Sequence, residues 1–492
     1  MDMEKQEVIR EQEDDAGILT WILDAPGKAV NLLDDAFIAS MTGRLDALEE
    51  RRAEKPAAVT GIILTSAKKS FCASADLEAM AAATPADART VNDLARQWGL
   101  LLRRLETAGV PVVAALNGAA IGGGLGLALA THHRIAVDDP GNRFGLPEVD
   151  FGICPGAGGV LRTTRLLGIE RALDELLLSA AIVGAQDGLQ LGIIDQVLKD
   201  EEELLPAARR WIREHPVARQ PWDTDGYFFP GGAPQVPTGA GQNPLTEILQ
   251  FLPARLRGRT DALHNPAPRA ILAAAVEGAQ VDVATATAIE ARYYTQTVVS
   301  PVSTAMIGLR HTDRKAAGRQ AIDATTGAVP DAATTAAGET PDAPGTGRAV
   351  EGEERHRGQM SAAKVARQMG ADLLEAARVT ARELVAHGMA AISVERAAEN
   401  AGLASPLFHA ITEAVQESPR ETTDTPVGVG QQGTPELSTE VAQRRLLSAI
   451  ARSGREHLGG RDAAMTAALN IASVDGAGYP AWTGGITRWE DD

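Results

Sequence analysis

Two glycine-rich stretches carry residue types that could do chemistry in this chain. They are FCASADLEAM (71–80) and NGAAIGGGLGLALA (117–130), and each follows a strand-like run and leads into a helical pattern. Backbone N–H groups at a helix start have no partner inside the helix, and the helix dipole adds positive potential, so two such starts could together hold an oxyanion. Tight turns and close helix packing are the alternative explanation for the same glycines.

Glu148 lies further along, in the loop sequence GLPEVDF (145–151). A positioned carboxyl can pass a proton to or from a substrate carbon, although an isolated loop glutamate is usually only a solvated side chain. Gly126 stands two positions after the glycine triplet, where the first turn of a helix would favour a better helix former. The next acidic residue after it is Asp138. Between Gly126 and Asp138 the sequence therefore offers no acidic side chain.

Strand-like runs alternate with helical patterns between Gly17 and Leu198. The strand-like runs are GILTWIL, VTGIILTSA, VPVVAALNG and HRIAVDD. Apolar residues recur at helical spacing in AFIASMTGRLDALEERRAE (36–54) and ARTVNDLARQWGLLLRRLETAG (88–109). This alternation predicts an α/β layer fold.

Length and charge bound the class of protein. A chain of 492 residues has room for two or three domains, and 44% apolar residues can form their cores. The formal net charge of -18 argues against binding to nucleic acid or to an anionic membrane surface, because both need a basic face. Two cysteines, a charged start and the lack of any apolar run of about 18 residues predict a cytoplasmic protein with reduced thiols and no membrane span.

Other candidate motifs carry less weight. His132 and His133 are adjacent and have no acidic or cysteine neighbour that would complete a metal site, so we interpret them as structural. GVGQQG (428–433) matches a dinucleotide-binding pattern but follows a loop-like sequence instead of a strand, which argues against that function. Lys68 and Lys69 could meet a phosphate, and a solvated surface pair is an equally good explanation.

Four stretches together resemble the crotonase or enoyl-CoA hydratase/isomerase family. They are DAPGKAVNLL (24–33), FCASADL (71–77), VPVVAALNGAAIGGGLGLALATHHRIA (110–136) and FGLPEVDFGICPGAGGVLRTTRLLG (144–168). Four later stretches are similar to the α subunits of multifunctional fatty-acid β-oxidation complexes, namely QPWDTDGYFFPGG (220–232), NPAPRAIL (265–272), EARYYTQTVVSP (290–301) and VDGAGYPAWTGGITRW (474–489). The resemblance implies an α/β crotonase fold of repeated ββα units with a spiral sheet core, followed by a linker and a small all-α C-terminal domain.

The resemblance also implies an order of domains. Residues 1–200 are expected to form the enoyl-CoA domain, and 201–311 an irregular segment with connecting helices that pack on it. Residues 312–357 are polar, rich in small residues and free of aromatics, so they are predicted to be a flexible linker. Residues 358–492 should form a helical domain similar to the C-terminal domain of 3-hydroxyacyl-CoA dehydrogenases. The linker is too short to hold the NAD-binding domain that such α subunits place there, so hydride transfer is expected to be absent.

Carried onto this sequence, the family pattern assigns a site. The N–H groups of Ala75 and Gly123 are expected to form an oxyanion hole for a thioester carbonyl, and the Ala73 carbonyl to contact the adenine of coenzyme A. Glu148 is expected to be the catalytic acid/base, while Gly126 stands where hydratases of the family have a second glutamate. The remaining residues expected to contact substrate are Ser74, Asp76, Gly122, Gly126, Pro155 and Gly156.

These features favour an enoyl-CoA isomerase, or a weak hydratase, of fatty-acid β-oxidation, with a coenzyme A thioester as substrate and no bound cofactor. One carboxyl suffices to move a proton between C2 and C4 of an enoyl thioester, whereas efficient hydration normally uses two. A catalytically impaired acyl-CoA-binding or scaffold subunit that docks a thiolase is the alternative. An oligomer is expected in either case.

Overall fold

The computed structural model describes most of the chain in two compact units. The first unit comprises Met1–Leu256 and Pro266–Ser303, and the second comprises Arg257–Asn265 and Thr304–Asp492. The described residues are 7–73, 76–232, 251–253, 256, 264–313, 362–387, 389, 391–401, 403, 406–417, 439–458, 463–471, 473–474, 479–480, 483 and 485. The predicted linker lies almost entirely outside them, so its flexibility and the domain boundaries at 200, 311 and 357 stay predictions.

The described strands all belong to the first unit and form two sheets. In chain order they are β1 (Ile9–Glu13), β2 (Ile18–Leu23), β3 (Gly61–Ser66), β4 (Val112–Leu116), β5 (Ala120–Ile121), β6 (His133–Val137), β7 (Phe144–Gly145), β8 (Ile182–Val183) and β9 (Gln196–Leu198). The larger sheet has the order β1-β2-β3-β4-β6-β9, in which β1 is antiparallel to β2 and the other neighbours are parallel. The smaller sheet has the order β5-β7-β8. The four strands predicted from apolar runs are confirmed as β2, β3, β4 and β6.

Helices cover the sheet of the first unit and make up most of the second. Those of the first unit are α1 (Asp35–Glu54), α2 (Leu77–Ala82), α3 (Ala88–Glu106), α4 (Gly123–Leu129), α5 (Gly159–Leu167), α6 (Ile169–Ala172), α7 (Ala185–Leu191), α8 (Leu204–Glu214), α9 (Ala267–Gly278) and α10 (Val283–Val298). They are followed by α11 (Pro301–Ile307), α12 (Ala362–Ala386), α13 (Ala391–Asn400), α14 (Leu407–Glu417), α15 (Thr439–Arg455) and α16 (Ala463–Ile471). Between 362 and 485 the described residues contain no strand, which confirms the helical C-terminal part. None of the helices in the described part of the chain has the length and apolar character to cross a membrane.

Both faces of the larger sheet are buried, which explains why its parallel strands read as nearly continuous apolar runs. Leu19 and Trp21 of β2 face a core that also contains Phe37 of α1. On the other face, Ile18 of β2 and Ile63 of β3 pack in a smaller cluster with residues of α8. Alternate residues of one strand therefore enter two different cores.

A buried ion pair joins two of these helices. Arg162 of α5 donates from Nε to Glu106 at the end of α3 over 2.8 Å, and both side chains are essentially inaccessible to solvent. Arg103 bonds the second Glu106 oxygen at 3.1 Å and makes a two-pronged contact with Asp223 at 2.8 and 2.7 Å. A buried pair of this kind fixes geometry, because either charge left alone in the interior is costly.

Replacing Glu106 with glutamine should therefore lower the free energy of unfolding by about 3–5 kcal/mol, because Arg162 would keep a buried charge without its partner. Urea denaturation followed by circular dichroism measures the loss. Glu175→Gln is the matched control, since Glu175 pairs with Arg171 at 2.8 Å on the surface, and it should cost less than about 1 kcal/mol. Equal losses in the two variants would contradict the assignment.

Candidate active site

Two asparagines join the loops that leave the carboxyl ends of β2, β3 and β4. Asn117, directly after β4, accepts from the Ser66 N–H and donates to the carbonyls of Ser66 and Lys68 at 3.1 and 3.0 Å. Asn31, which is fully buried, donates to the Phe71 carbonyl at 3.0 Å, and its own carbonyl accepts from the Ala73 N–H at 2.9 Å. The loop after β3 is thus held from both sides.

The start of α4 lies directly against this loop. A Cβ added to Gly124 would stand 2.0 Å from the Cys72 carbonyl oxygen, so only glycine allows the approach. The N–H of Gly122 donates to the Gly145 carbonyl at 2.8 Å, which joins the triplet to the segment that carries Glu148. Gly123 is the first helical residue, so its N–H has no carbonyl one turn earlier within α4. Close packing and a helix start with a spare donor thus coexist at this triplet.

Only part of the expected oxyanion hole lies among the described residues. Ser74 and Ala75 lie outside the described residues, so the position of the Ala75 N–H stays a prediction. Asp76, which follows them, is the N-cap of α2 and accepts from the N–H groups of Glu78 and Ala79 at 2.9 and 3.1 Å. Helix capping is thus a sufficient reason for an aspartate at position 76, and the contact of Asp76 with substrate remains a prediction.

Glu148 lies in a short 3-10 turn, Pro147–Phe151, where the residue is half-buried and its Oε2 atom is inaccessible to solvent. Among the described residues, its Oε2 atom has no hydrogen-bond partner. Burial and, to a smaller extent, the nearby Glu290 carboxyl raise the pKa of Glu148 to about 8, against the lowering effect of a backbone hydrogen bond. A carboxyl in these conditions changes protonation close to neutral pH, which suits a group that gives and takes a proton.

Helix α10 packs on the loop that follows Glu148. The Glu290 carboxylate accepts from the N–H groups of Gly158 and Leu161 at 2.6 and 2.8 Å, at the start of α5. One turn later in α10, the ring of Tyr294 lies against Gly156, where a Cβ would come within 2.4 Å of it. Three residues further, the Thr297 hydroxyl accepts from the Cys154 N–H at 2.9 Å. Pro155 is buried in this loop, whereas Gly156 is half-buried.

These residues of α10 carry no assigned role in the sequence analysis. Glu290, Tyr294 and Thr297 stand at positions i, i+4 and i+7, which is the spacing of one helix face. Polar side chains on an otherwise buried face were the available signal, because a helix that packs on a core normally presents apolar residues there. Asn31 was missed for a different reason, since nothing local distinguishes a buried asparagine from a turn residue.

Gly126 is packed against backbone rather than open to a cavity. A Cβ at this position would stand 2.4 Å from the Ala157 carbonyl oxygen and 3.4 Å from the Ala157 Cβ. A longer side chain, glutamate included, could enter only if the loop at Ala157 moved. The lack of a second carboxyl at Gly126 is therefore built into the packing, and a direct contact of Gly126 with substrate stays a prediction.

Burial keeps His132 and the two cysteines of this region in their neutral forms. His132 accepts the Val112 N–H at Nδ1 over 2.9 Å, and its Nε2 contacts the Glu106 carbonyl at 3.0 Å. Burial lowers its pKa to about 4, so the ring is neutral and structural. Cys72 and Cys154 are buried free thiols whose pKa is raised by burial. No group of three or more potential metal ligands occurs among the described residues.

Lys68, a candidate for phosphate contact, is engaged in local structure. Its ammonium group donates to the Lys28 carbonyl at 2.7 Å and lies 3.5 Å from an Asp24 carboxylate oxygen. Its side chain is only 13% exposed, which leaves little of the charge open to an outside ligand. Lys68 is thus a locally bound cation, which neither the expected phosphate contact nor a solvated surface pair describes.

The sequence model of the enoyl-CoA hydratase/isomerase family matches residues 13–220. This segment of the chain is therefore similar to that family, the crotonases. The match contains the Gly122–Gly124 triplet and Glu148, and the mixed sheet with its covering helices is the crotonase fold expected from the resemblance. Helix α10, which contacts the loop after Glu148, lies beyond the matched segment.

Curated relatives agree with this assignment. A fatty acid oxidation complex subunit alpha from Shewanella loihica is 33% identical over 295 residues, which cover 59% of this chain and 39% of the relative. The subunit of the same name from Shewanella amazonensis is 38% identical over 200 residues, or 40% of this chain and 27% of that one. The alignment with these relatives thus spans well under half of their length.

Parts of solved structures are also similar to this chain. An enoyl-CoA hydratase from Thermoplasma volcanium is 26% identical, with a TM-score of 0.37, and the match covers 43% of this chain and 80% of that one. Another, from Mycobacterium smegmatis, is 23% identical, with a TM-score of 0.38 and coverage of 42% and 76%. The similarity to the family rests on the sequence match of residues 13–220.

The close packing at Gly126 predicts the cost of the smallest possible side chain there. Gly126→Ala should lower the free energy of unfolding by about 1–3 kcal/mol, because the new methyl group would overlap the Ala157 carbonyl. Gly43→Ala in α1 is the control, since nothing lies within 4 Å of its added Cβ, and it should be neutral or stabilising by up to about 1 kcal/mol. Chemical denaturation compares both variants with the wild type, and a neutral Gly126→Ala would contradict the packing.

The raised pKa of Glu148 predicts a pH-dependent stability. A folded-state pKa of about 8 against an ordinary value of 4.5 means that Glu148 favours folding below about pH 4.5 and that this contribution is lost as the pH rises to about 8. Glutamine at position 148 cannot ionise. As the pH rises from 5 to 8.5, the free energy of unfolding of Glu148→Gln, measured relative to that of the wild type, should therefore increase by at least about 1.4 kcal/mol. Chemical denaturation at each pH measures this difference.

The exposed Glu170 supplies the control for that comparison. Glu170→Gln should follow the wild-type pH dependence at every pH, since its side chain lies at the surface. If the Glu148→Gln curve also stayed parallel to the wild type, the carboxyl would not be titrating in a buried site.

Proposed function

We propose that this crotonase is an enoyl-CoA isomerase of fatty-acid oxidation, in which Glu148 is the acid/base. The observation that carries the proposal is the Glu148 carboxyl, which is buried and has one oxygen without a partner among the described residues. It lies in a loop joined to the glycine triplet by the hydrogen bond from Gly122 to Gly145. The substrate, a coenzyme A thioester, is inferred from the family, and no further cofactor is required.

The reaction needs one proton to be moved along the acyl chain. In its ionised form, Glu148 would take a proton from C2 of a 3-enoyl thioester, and the electrons of that C–H bond would pass into a dienolate. The negative charge on the thioester oxygen would be held by the N–H groups of Gly123 and Ala75. The neutral carboxyl would then return the proton to C4, which leaves the double bond between C2 and C3 and restores the carboxylate.

Hydration is the less favoured reaction on this geometry. Water addition needs a water to be held and deprotonated while a proton is delivered to C2, and in the family two carboxyls share that work. The packing of Gly126 against Ala157 leaves no room for a side chain at the second position. We therefore propose that any hydratase activity is weak and depends on Glu148 alone.

The activity of the wider protein is also a proposal. The relatives named as alpha subunits of fatty acid oxidation complexes extend far beyond the aligned segment, so docking to a thiolase, an oligomeric assembly and a cytoplasmic location remain predictions. The same holds for the absence of hydride transfer. A scaffold subunit that binds acyl-CoA without turning it over is the competing function, and the packed Gly126 is the observation that favours it.

The test compares two substrates, a 3-enoyl-CoA and crotonyl-CoA, by the absorbance of the conjugated thioester. We expect turnover of the 3-enoyl-CoA and little change with crotonyl-CoA. Because the ionised form of Glu148 acts as the base, kcat/KM should rise with pH and level off above about pH 8. Glu148→Gln should lower kcat/KM by about 10²–10⁴-fold.

Each other outcome has a distinct meaning. Glu170→Gln should retain wild-type activity, since this side chain is exposed. Full activity in Glu148→Gln would overturn the assignment of the acid/base. Binding of the thioester with no turnover of either substrate would identify a scaffold, and faster turnover of crotonyl-CoA than of the 3-enoyl-CoA would identify a hydratase.

A further inference from the structure

Helix α10 brings a second buried carboxylate to the site. Glu290 is 3% exposed, and its two oxygens accept from the N–H groups of Gly158 at 2.6 Å and Leu161 at 2.8 Å. It lies 132 positions along the chain from Gly158 and outside the family match that ends at residue 220. Neither the oxyanion hole nor the acid/base step of the proposed reaction uses it.

The N–H groups that Glu290 holds begin helix α5. The first N–H groups of a helix have no partner inside it, and a carboxylate placed there gains both hydrogen bonds and the attraction of the helix dipole. The loop that leads into this helix contains Gly156, which packs on Tyr294, and Ala157, which packs on Gly126. Glu290 therefore holds a segment that contacts both α10 and the glycine-rich helix α4.

The charges around the two carboxyls give Glu290 a second effect. Glu148 is influenced by the Glu290 charge, and its other titratable neighbours are Cys154 and Tyr294, whose pKa values are both raised by burial and by Glu148. The pKa of Glu290 is about 7, because burial raises it more than the backbone N–H groups of α5 and the Arg162 guanidinium lower it.

Glu290 therefore ionises before Glu148. Its charge is stabilised by hydrogen bonds that the unpartnered Oε2 of Glu148 does not have. Two interacting carboxyls lose their protons in two steps, and the group with the better hydrogen bonds dominates the first. The Glu290 carboxylate then opposes the loss of the second proton, which belongs mainly to Glu148.

We propose that Glu290 is a positioning residue for Glu148: it fixes the end of the 154–158 loop at Gly158 and the first turn of α5, and it brings a negative charge near the Glu148 carboxyl. The role rests on the proposed function only in that Glu148 is the acid/base. The contacts that carry it are those of the described residues of the first unit. Glu290 does not touch substrate in this scheme, because its oxygens are occupied by backbone donors.

The test uses the full chain with Glu290→Gln, which keeps the size of the side chain and removes its charge. Infrared difference spectra between each protein and its Glu148→Gln counterpart isolate the protonated carboxyl band of Glu148, and this titration requires no turnover. We expect the midpoint of Glu148 to fall by at least about one pH unit when Glu290 is neutral. With the 3-enoyl-CoA, kcat should fall at least about tenfold while KM changes less than about threefold.

Two further variants separate positioning from folding. Glu290→Asp keeps the charge but shortens the reach, so the Glu148 midpoint should stay high while kcat falls, and it remains informative if Glu290→Gln does not fold. Glu277→Gln is the matched control. Glu277 lies on α9 and bonds Arg292 of α10, the helix that carries Glu290, at 2.7 Å, but its side chain is 42% exposed. It should change neither the midpoint nor kcat.

The outcomes distinguish this inference from the proposed function. The inference would be overturned if Glu290→Gln left the Glu148 midpoint unchanged and, at temperatures where the variant is folded, had the same kcat as the wild type. Glu290 would then have a purely structural role. If the wild type turned over neither substrate but the Glu148 midpoint still fell in Glu290→Gln, the isomerase proposal would be wrong and the coupling of the two carboxyls would stand.

Discussion

The docking of α10 on the start of α5 is the constraint on which the site depends. The Glu290 carboxylate, buried and bonded to Gly158 and Leu161, ties a helix from residues 283–298 to the loop that follows Glu148. Leaving those N–H groups unpaired in the interior would cost about 1–3 kcal/mol each, so the helix start is stable only with its distant partner. The family-matched segment ends before α10, and its candidate site is therefore completed by a helix from outside it.

The same region shows why a buried charge is tolerated on one carboxyl and resisted on the other. Glu290 has backbone donors and the Arg162 guanidinium nearby, and Arg162 is itself paired with Glu106. Glu148 has burial without comparable donors, which is why its pKa is the higher of the two. Two groups of one chemical type thus acquire different protonation behaviour from their surroundings alone.

Much of the first unit follows from local sequence patterns. Apolar runs identified β2, β3, β4 and β6, and helical spacing identified α1 and α3. The pattern missed β1 (Ile9–Glu13), because this edge strand carries charged residues, as edge strands often do to avoid pairing with other chains. Trp21 and Glu11 are joined across β1 and β2 by a 2.9 Å hydrogen bond that no local pattern predicts.

The candidate site divides in the same way. The glycine triplet and Glu148 could be identified from the sequence with the help of the family resemblance, since their roles are tied to short motifs. Asn31 and Glu290 could not, because each acts through contacts with residues 40 to 132 positions away, at Phe71 and Gly158. A buried polar residue shows its purpose only when its distant partner is known.

Gly126 has one significance in the sequence and another in the structure. In the sequence it stands where a second carboxyl would lie, and its significance is the group that is missing. In the structure its Cα faces the Ala157 carbonyl so closely that a Cβ would come to 2.4 Å, and Ala157 belongs to the loop that Glu290 holds. Restoring a carboxyl at position 126 would therefore require displacing the loop that positions Glu148. A second carboxyl at position 126 is incompatible with the present position of the Ala157 loop at the start of α5. On the proposed function, a change toward hydration would therefore have to alter residue 126 and this loop together.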